Sequence, residues 1–341
     1  MMNTKILLIT LSLIYSILNG QQLGGSAAFL KKGMSARALG MGSAYVAEVK
    51  DPSAAYWNPA GLVESAGLKF QISDLQNNIF DYKSFGDINT PQISLAYSFN
   101  KPLPMSNIQW ALGISMTGYF VDDIDEYDNR SSYLGSFGYS EYVSFISAAF
   151  KIRLINVGVT WKYLSQEFGG NIGFNQTNKK SLLRKPHDIG LKFNPTKYLS
   201  FGLILRDSIS VGVYDQYSKN LQYGVSINIA NIDNSLELPN IIVTADFLAL
   251  QSSFQKLNTG IEYKYVANDK YSFLFRLGMS GILLNLDDSF EDSEEITEIS
   301  RKGSVGLGIQ TGQLGIDIAW VQQLNDNSYS QYMILTVGWG F

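Results

Sequence analysis

Residues 24–62 read GGSAAFLKKGMSARALGMGSAYVAEVKDPSAAYWNPAGL. The stretch is rich in Gly and Ala and lacks the two-residue alternation found in nearly all of the chain after it. Gly33, Gly40, Gly42 and Gly61 let the backbone pack closely against other surfaces. Pro52 and Pro59 fix φ and bias Asp51 and Asn58 away from helix. A segment too irregular for a sheet strand and too apolar for a free tail is expected to be a compact plug. A plug needs a wall around it.

The wall is written in period two. Ile93, Leu95, Tyr97 and Phe99 alternate with Gln92, Ser94, Ala96 and Ser98. Val157, Val159, Trp161 and Tyr163 alternate with Gly158, Thr160 and Lys162, and Leu221, Tyr223, Val225 and Ile227 with Gln222, Gly224 and Ser226. One face is apolar and aromatic, the other small, polar or charged, which is the pattern of half-buried strands. Fourteen such segments are expected, at 64–75, 90–100, 107–121, 139–152, 154–168, 186–194, 199–207, 219–230, 239–250, 256–267, 269–283, 301–311, 312–324 and 331–341. The even count, and connections that are mostly tight after even strands but long at 76–89, 122–138, 169–185 and 284–300, point to a membrane barrel. The fold class is therefore all-β, a 14-stranded antiparallel outer-membrane β-barrel holding an N-terminal plug.

Composition agrees. Aromatics make up 13% of the 341 residues and charged residues only 16%, against about 25% in soluble proteins. After residue 20 no apolar run approaches the roughly 20 residues of a membrane helix. Ahead of it, Lys5, the run ILLITLSLIYSIL and Asn19-Gly20 have the order of a secretory signal peptide. Three regions follow: 1–20 signal peptide, 21–63 plug, 64–341 barrel. Removing 1–20 takes one lysine and leaves 25 basic against 30 acidic residues, a balance that offers nothing to nucleic acid. With no cysteine, thiol catalysis and Cys-ligated metals are excluded.

Positions on the polar phase carry Lys162, Arg206, Asp246, Glu262, Lys264, Arg276 and Asp317. Charges there avoid the lipid face, and a salt-bridged interior holding the plug is expected. Arg37 is the natural partner for a wall carboxylate such as Glu262, Asp246 or Asp317. His187, the one histidine, has no Gly-x-Ser-x-Gly near it, so no catalytic residue and no enzyme activity is expected. The acidic runs at 122–128 and 287–298 lack the glycine-punctuated spacing of a calcium loop and read as solvated outer loops. No metal or cofactor is expected. At the C-terminus Trp339 and Phe341 share the apolar phase, resembling the terminal signal read by barrel-assembly machinery.

The strings ARALGMG (36–42), AYVA (44–47) and DPSAAYWNPAGL (51–62) resemble the N-terminal signature of the PorV/PorQ family. The residues carrying the likeness are Arg37, Gly40, Gly42, Asp51, Pro52, Tyr56, Trp57, Asn58, Pro59, Ala60 and Gly61. The Asn-Pro-Ala element is also similar to the hatch of FadL-type transporters, whose fourteen-stranded barrel the PorV group shares. The first likeness implies an outer-membrane component of the type IX secretion system, with secretion subunits and secreted protein cargo as partners. The second implies passage of a hydrophobic ligand past a kinked hatch and through a lateral wall opening. Both imply outer-membrane lipid as surroundings, assembly by the barrel machinery, and mature N- and C-termini on the periplasmic side. A secretion subunit should have a sealed lumen, and a transporter should present an apolar space between plug and wall.

Overall fold

The computed structural model describes residues 28–77, 88–99, 108–128, 130–170, 187–206, 220–232, 238–251, 254–285, 301–324 and 331–340. The expected signal peptide, the acidic run at 287–298 and Phe341 lie outside the described residues. Fourteen antiparallel strands close into one barrel, each paired with its sequence neighbours, and the first with the last. They are β1 (Gly67–Asn77), β2 (Ile88–Ser98), β3 (Gln109–Tyr127), β4 (Tyr133–Ile152), β5 (Ile155–Gly170), β6 (His187–Phe193) and β7 (Leu199–Arg206). Then come β8 (Asn220–Asn228), β9 (Ile241–Gln251), β10 (Phe254–Val266), β11 (Tyr271–Asn285), β12 (Lys302–Thr311), β13 (Leu314–Gln323) and β14 (Gln331–Gly340). The seam between β1 and β14 is paired from Lys69↔Gly340 to Asn77↔Tyr332, so no sheet edge is left open along it.

Alternation decides which side chains face out. Along β2, Ile93, Leu95 and Tyr97 are exposed while Gln92, Ser94 and Ala96 are buried. Trp161, Tyr163, Tyr265, Trp320 and Trp339 all stand on the apolar outward face. An outer surface this apolar suits lipid and would be a liability in water. The β4–β5 and β12–β13 links are two-residue turns, with Arg153 at φ 56° and Gly312 at φ 55° supplying the left-handed residue such hairpins need. We call that side the short-turn end, and the opposite side the long-loop end.

One expected loop is largely strand. Residues 122–138 read as a connection, yet β3 continues to Tyr127 and β4 starts at Tyr133. Beyond the lipid a hairpin needs only its ladder and a turn; it does not need an apolar face, so periodicity is silent there. The turn is held by Asp128, whose Oδ1 accepts from the backbone N–H groups of Arg130 and Ser132, each at 2.8 Å. Six residues past Val121, where described pairing with β2 stops, carry the hairpin roughly 20 Å further at about 3.3 Å per residue.

Candidate functional site: the plug and the lumen it divides

Ala28–Ala66 lies inside the barrel as four single-turn elements: Ala28–Lys32, Ala36–Gly40, Ala54–Trp57 and Pro59–Glu64. None is long enough to persist alone, so burial and cross-links must hold them. Trp57 packs edge-on against Tyr45 (centroids 6.1 Å) and Tyr56 (5.0 Å), and its Nε1 donates to the Met34 carbonyl at 2.8 Å. Asn58 uses both ends of its amide. Oδ1 accepts from the Ala60 N–H at 3.1 Å, starting the Pro59–Glu64 turn, while Nδ2 donates to the carbonyls of Val46 (3.0 Å) and Leu191 in β6 (3.1 Å). Aspartate could not make the last two bonds.

The wall meets the plug through glycine. Gly158 and Gly190 face each other across β5 and β6, Gly202 and Gly224 across β7 and β8, and Gly260 and Gly278 across β10 and β11. Pro59 lies against the first pair, Val46 against Gly202, and Met41–Gly42 against the last pair. A Cβ at Gly202 would stand 2.5 Å from the Val46 carbonyl oxygen, so the track admits no side chain there. The plug backbone thus lies directly on the strand backbones. Sequence reading noted glycines on the polar phase, but only strand register shows that they line up.

A chain of charges fastens the plug at mid-lumen. Arg37 grips Glu262 with two parallel bonds, Nε to Oε2 at 2.9 Å and Nη2 to Oε1 at 2.8 Å, and also reaches Glu48 at 3.0 Å and the Tyr45 hydroxyl at 2.9 Å. Burial alone would lower the Arg37 pKa, but Glu262, Tyr45 and Glu48 around it hold it well above the usual arginine value. Glu262 is shared with Arg276 at 2.6 Å, which in turn bonds Asp317 at 2.6 Å. Asp246 plays a different part: its Oδ2 accepts the backbone N–H groups of Tyr45 (2.7 Å) and Val46 (2.9 Å). Of the three carboxylates expected to meet Arg37, Glu262 alone does so directly.

The other predicted positions separate. Arg206 donates to the Tyr56 carbonyl at 2.7 Å and lies 4.7 Å over the Tyr56 ring, capping the Ala54–Trp57 turn at the end where bare carbonyls favour a cation. Asp51 accepts from the Tyr45 hydroxyl at 2.5 Å and from the Ser53 hydroxyl. Lys162 pairs with Asp188 at 2.8 Å, between two strands of the wall. Lys264 reaches Gln310 at 3.1 Å in an exposed contact at the short-turn end. His187 sits edge-on to Trp161, with centroids 6.1 Å apart. A further anchor that no sequence pattern marks is Lys192, which bonds Glu64 at 2.9 Å and the Val49 carbonyl at 3.1 Å.

The plug divides two unlike spaces. Toward the short-turn end lies a cavity of about 650 Å³ whose lining includes the charged groups of Arg37, Lys50, Asp51, Lys69, Glu262 and Asp317. Toward the long-loop end an apolar cluster occupies part of the inward wall: Leu75, Val143, Phe145, Leu164, Val321 and Ile334 pack with Phe29, Tyr56 and Trp57 of the plug, with buried Glu141 and Lys162 interleaved. Beside this apolar cluster the β2–β3 ladder is weakened without any change of register. Pairing of β2 with β3 runs through Ile88↔Val121 and Asn89↔Phe120, then resumes at Gln92↔Thr117, leaving Thr90 and Pro91 unpaired on that side. Pro91 has no N–H to give to the ladder. Behind this stretch the Tyr119 ring stacks on Phe29 at 5.9 Å, and the buried hydroxyls of Thr90 and Thr117 have no hydrogen-bond partner.

No family model and no curated protein sequence matches the chain. Solved structures do. The CymD monoaromatic hydrocarbon channel superposes with a TM-score of 0.58 at 12% identity, covering 91% of this chain and 98% of its own. The toluene transporter TbuX of Ralstonia pickettii gives 0.57 at 16% identity over 92% and 100%, and the toluene transporter TodX of Pseudomonas putida 0.54 at 11% over 90% and 96%. The likeness is one of fold.

Proposed function

We propose that this protein is an outer-membrane passage for small hydrophobic molecules. The observation that carries the proposal is the apolar, aromatic cluster in the lumen above the plug, placed directly behind the weakened β2–β3 pairing at Pro91. A molecule entering at the long-loop end, taken here as the cell exterior, meets apolar side chains that compensate its loss of lipid or micellar surroundings. The plug blocks a straight path, so the weakened β2–β3 pairing at Pro91 is the exit, leading sideways into the bilayer. Structural neighbours that are channels and transporters of aromatic hydrocarbons support this reading, and none of those reported above is an enzyme. The secretion role implied by the N-terminal strings has that resemblance as its whole support.

The test is uptake of radiolabelled toluene by cells whose outer membrane carries the protein, compared with Pro91→Val. Valine restores the missing ladder donor without adding charge. We expect normal barrel assembly and slowed uptake. Uptake equal to that of cells lacking the protein altogether would reject the proposal.

A further inference from the structure

The two strands on either side of β1 are held by two consecutive peptide groups of the plug. The N–H of Ser35 donates to Gln92 Oε1 in β2 at 3.2 Å, and the N–H of Ala36 donates to Thr336 Oγ1 in β14 at 2.8 Å. β2 and β14 are the two neighbours of β1. Thr336 Oγ1 lies 2.8 Å from Ser73 Oγ of β1, so the three strands around the seam meet at one buried point under Ser35–Ala36. Gln92 also returns a bond to the plug, from Nε2 to the Gly33 carbonyl at 3.1 Å. Ser35 sits at φ 71°, in the left-handed region that non-glycine residues avoid. That conformation costs of order 1–3 kcal/mol in general and persists only where surroundings over-determine it.

We propose that the plug has a second role, as the template on which the barrel closes, with Ser35–Ala36 as the clamp for the β1–β14 seam. The pairing of first and last strand is the contact of longest sequence separation in the fold, and loop closure makes such contacts slow to form. The plug precedes β1 directly in the chain and reaches the wall most of the way round, from Gly306 of β12 through Gly260, Gly202 and Gly158 to Gly113 of β3. Strands laid along this track are already at the right stagger when β14 arrives. At the glycine pairs Gly158/Gly190, Gly202/Gly224 and Gly260/Gly278 neither strand has a side chain with which to set that stagger.

The role separates from mere stabilisation by kinetics. A contact formed during closure changes the folding rate, whereas one formed afterwards changes the unfolding rate. Folding of the full chain from urea into phosphatidylcholine vesicles can be followed by the gel shift between closed and open barrels. Thr336→Val removes the acceptor at the seam while keeping shape; it should slow closure about tenfold and leave opening nearly unchanged. Ser35→Gly keeps both N–H groups, relieves the strained φ, and should close at least as fast as the native chain. A full chain carrying a protease site between Ser65 and Ala66, cut after folding, should stay closed. Once denatured and diluted, it should no longer close. Unchanged closure with faster opening in Thr336→Val, or normal closure of the cut and diluted chain, would overturn the template.

Discussion

Asp246 can serve the plug because its cross-strand partner, residue 224, is glycine. The two are in register across β9 and β8, and a Cβ on residue 224 would overlap the Asp246 carboxylate. Freed from a neighbour, the carboxylate leans inward and takes two backbone N–H groups of the plug. Gly308 stands in the same relation to Asp317 across β12 and β13.

Gly224→Val should therefore act on the plug more than on the wall. Valine is a good strand former, so the barrel should still assemble. The displaced carboxylate would abandon two charge-assisted bonds, each worth about 1.5–3 kcal/mol. Limited proteolysis of the folded barrel should find the plug cleaved faster while the strands stay resistant.

Arg37→Met should be the most damaging single change in the plug. It leaves Glu262 and Glu48 buried with half their partners, and severing such a pair costs about 3–5 kcal/mol. Arg37→Lys should not rescue it, because an ammonium cannot make the paired bonds to Glu262. Urea titration of plug protection gives the magnitude, and native stability in Arg37→Lys would refute the argument.

Val225 faces lipid, between Phe201 and Ala245 in the ladder. Val225→Arg should cost about 2–4 kcal/mol if the residue lies near the bilayer midplane, and Val225→Leu nearly nothing. Ser226, next in sequence, is not spare lumen surface: its hydroxyl donates to Glu48 at 2.9 Å. Ser226→Ala should cost about 1.5–3 kcal/mol, the worth of a hydrogen bond to a charged group. Folding into vesicles at graded urea measures all three.

The join between plug and wall should loosen in acid. Burial alone would raise the Glu64 carboxyl, but Lys192 beside it, with Asn194, holds it below the usual carboxylate range. A carboxyl depressed by folding contributes stability above its unfolded pKa of about 4.3, and loses that contribution as pH falls through the folded value. The Glu64 contribution to plug protection should thus be flat from neutral pH down to about 5 and decline below about 4. Glu64→Gln should shrink the decline, and an identical acid profile would show that Glu64 is not responsible.

Strands were legible because lipid on one side and a polar lumen on the other force strict alternation. Where that constraint ends, so does legibility: β3 above Val121 pairs with β4 through a bulge between Val121 and Ile124, and no pattern marks it. The plug could be recognised from its own residues, and Arg37 stood out as its one arginine. Its choice of Glu262 over Asp246 and Asp317 depends on strand stagger, which composition does not carry. Pro91 directly precedes the alternating run at 92–99, and its effect follows only from the strand pairing, which shows that its β3-facing N–H is the one missing from the ladder.

The plug's charges also bear on how it would respond to an electric field. Between Ala28 and Ala66 it carries four cations, Lys31, Lys32, Arg37 and Lys50, against three carboxylates, Glu48, Asp51 and Glu64, for a net charge of +1. A single elementary charge crossing an entire membrane field of 100 mV gains only about 2.3 kcal/mol. Breaking one buried ion pair already costs about 3–5 kcal/mol, and the plug is held by more than one. Voltage is too weak a lever to unseat it, so planar-bilayer recordings should show the same low current at either polarity.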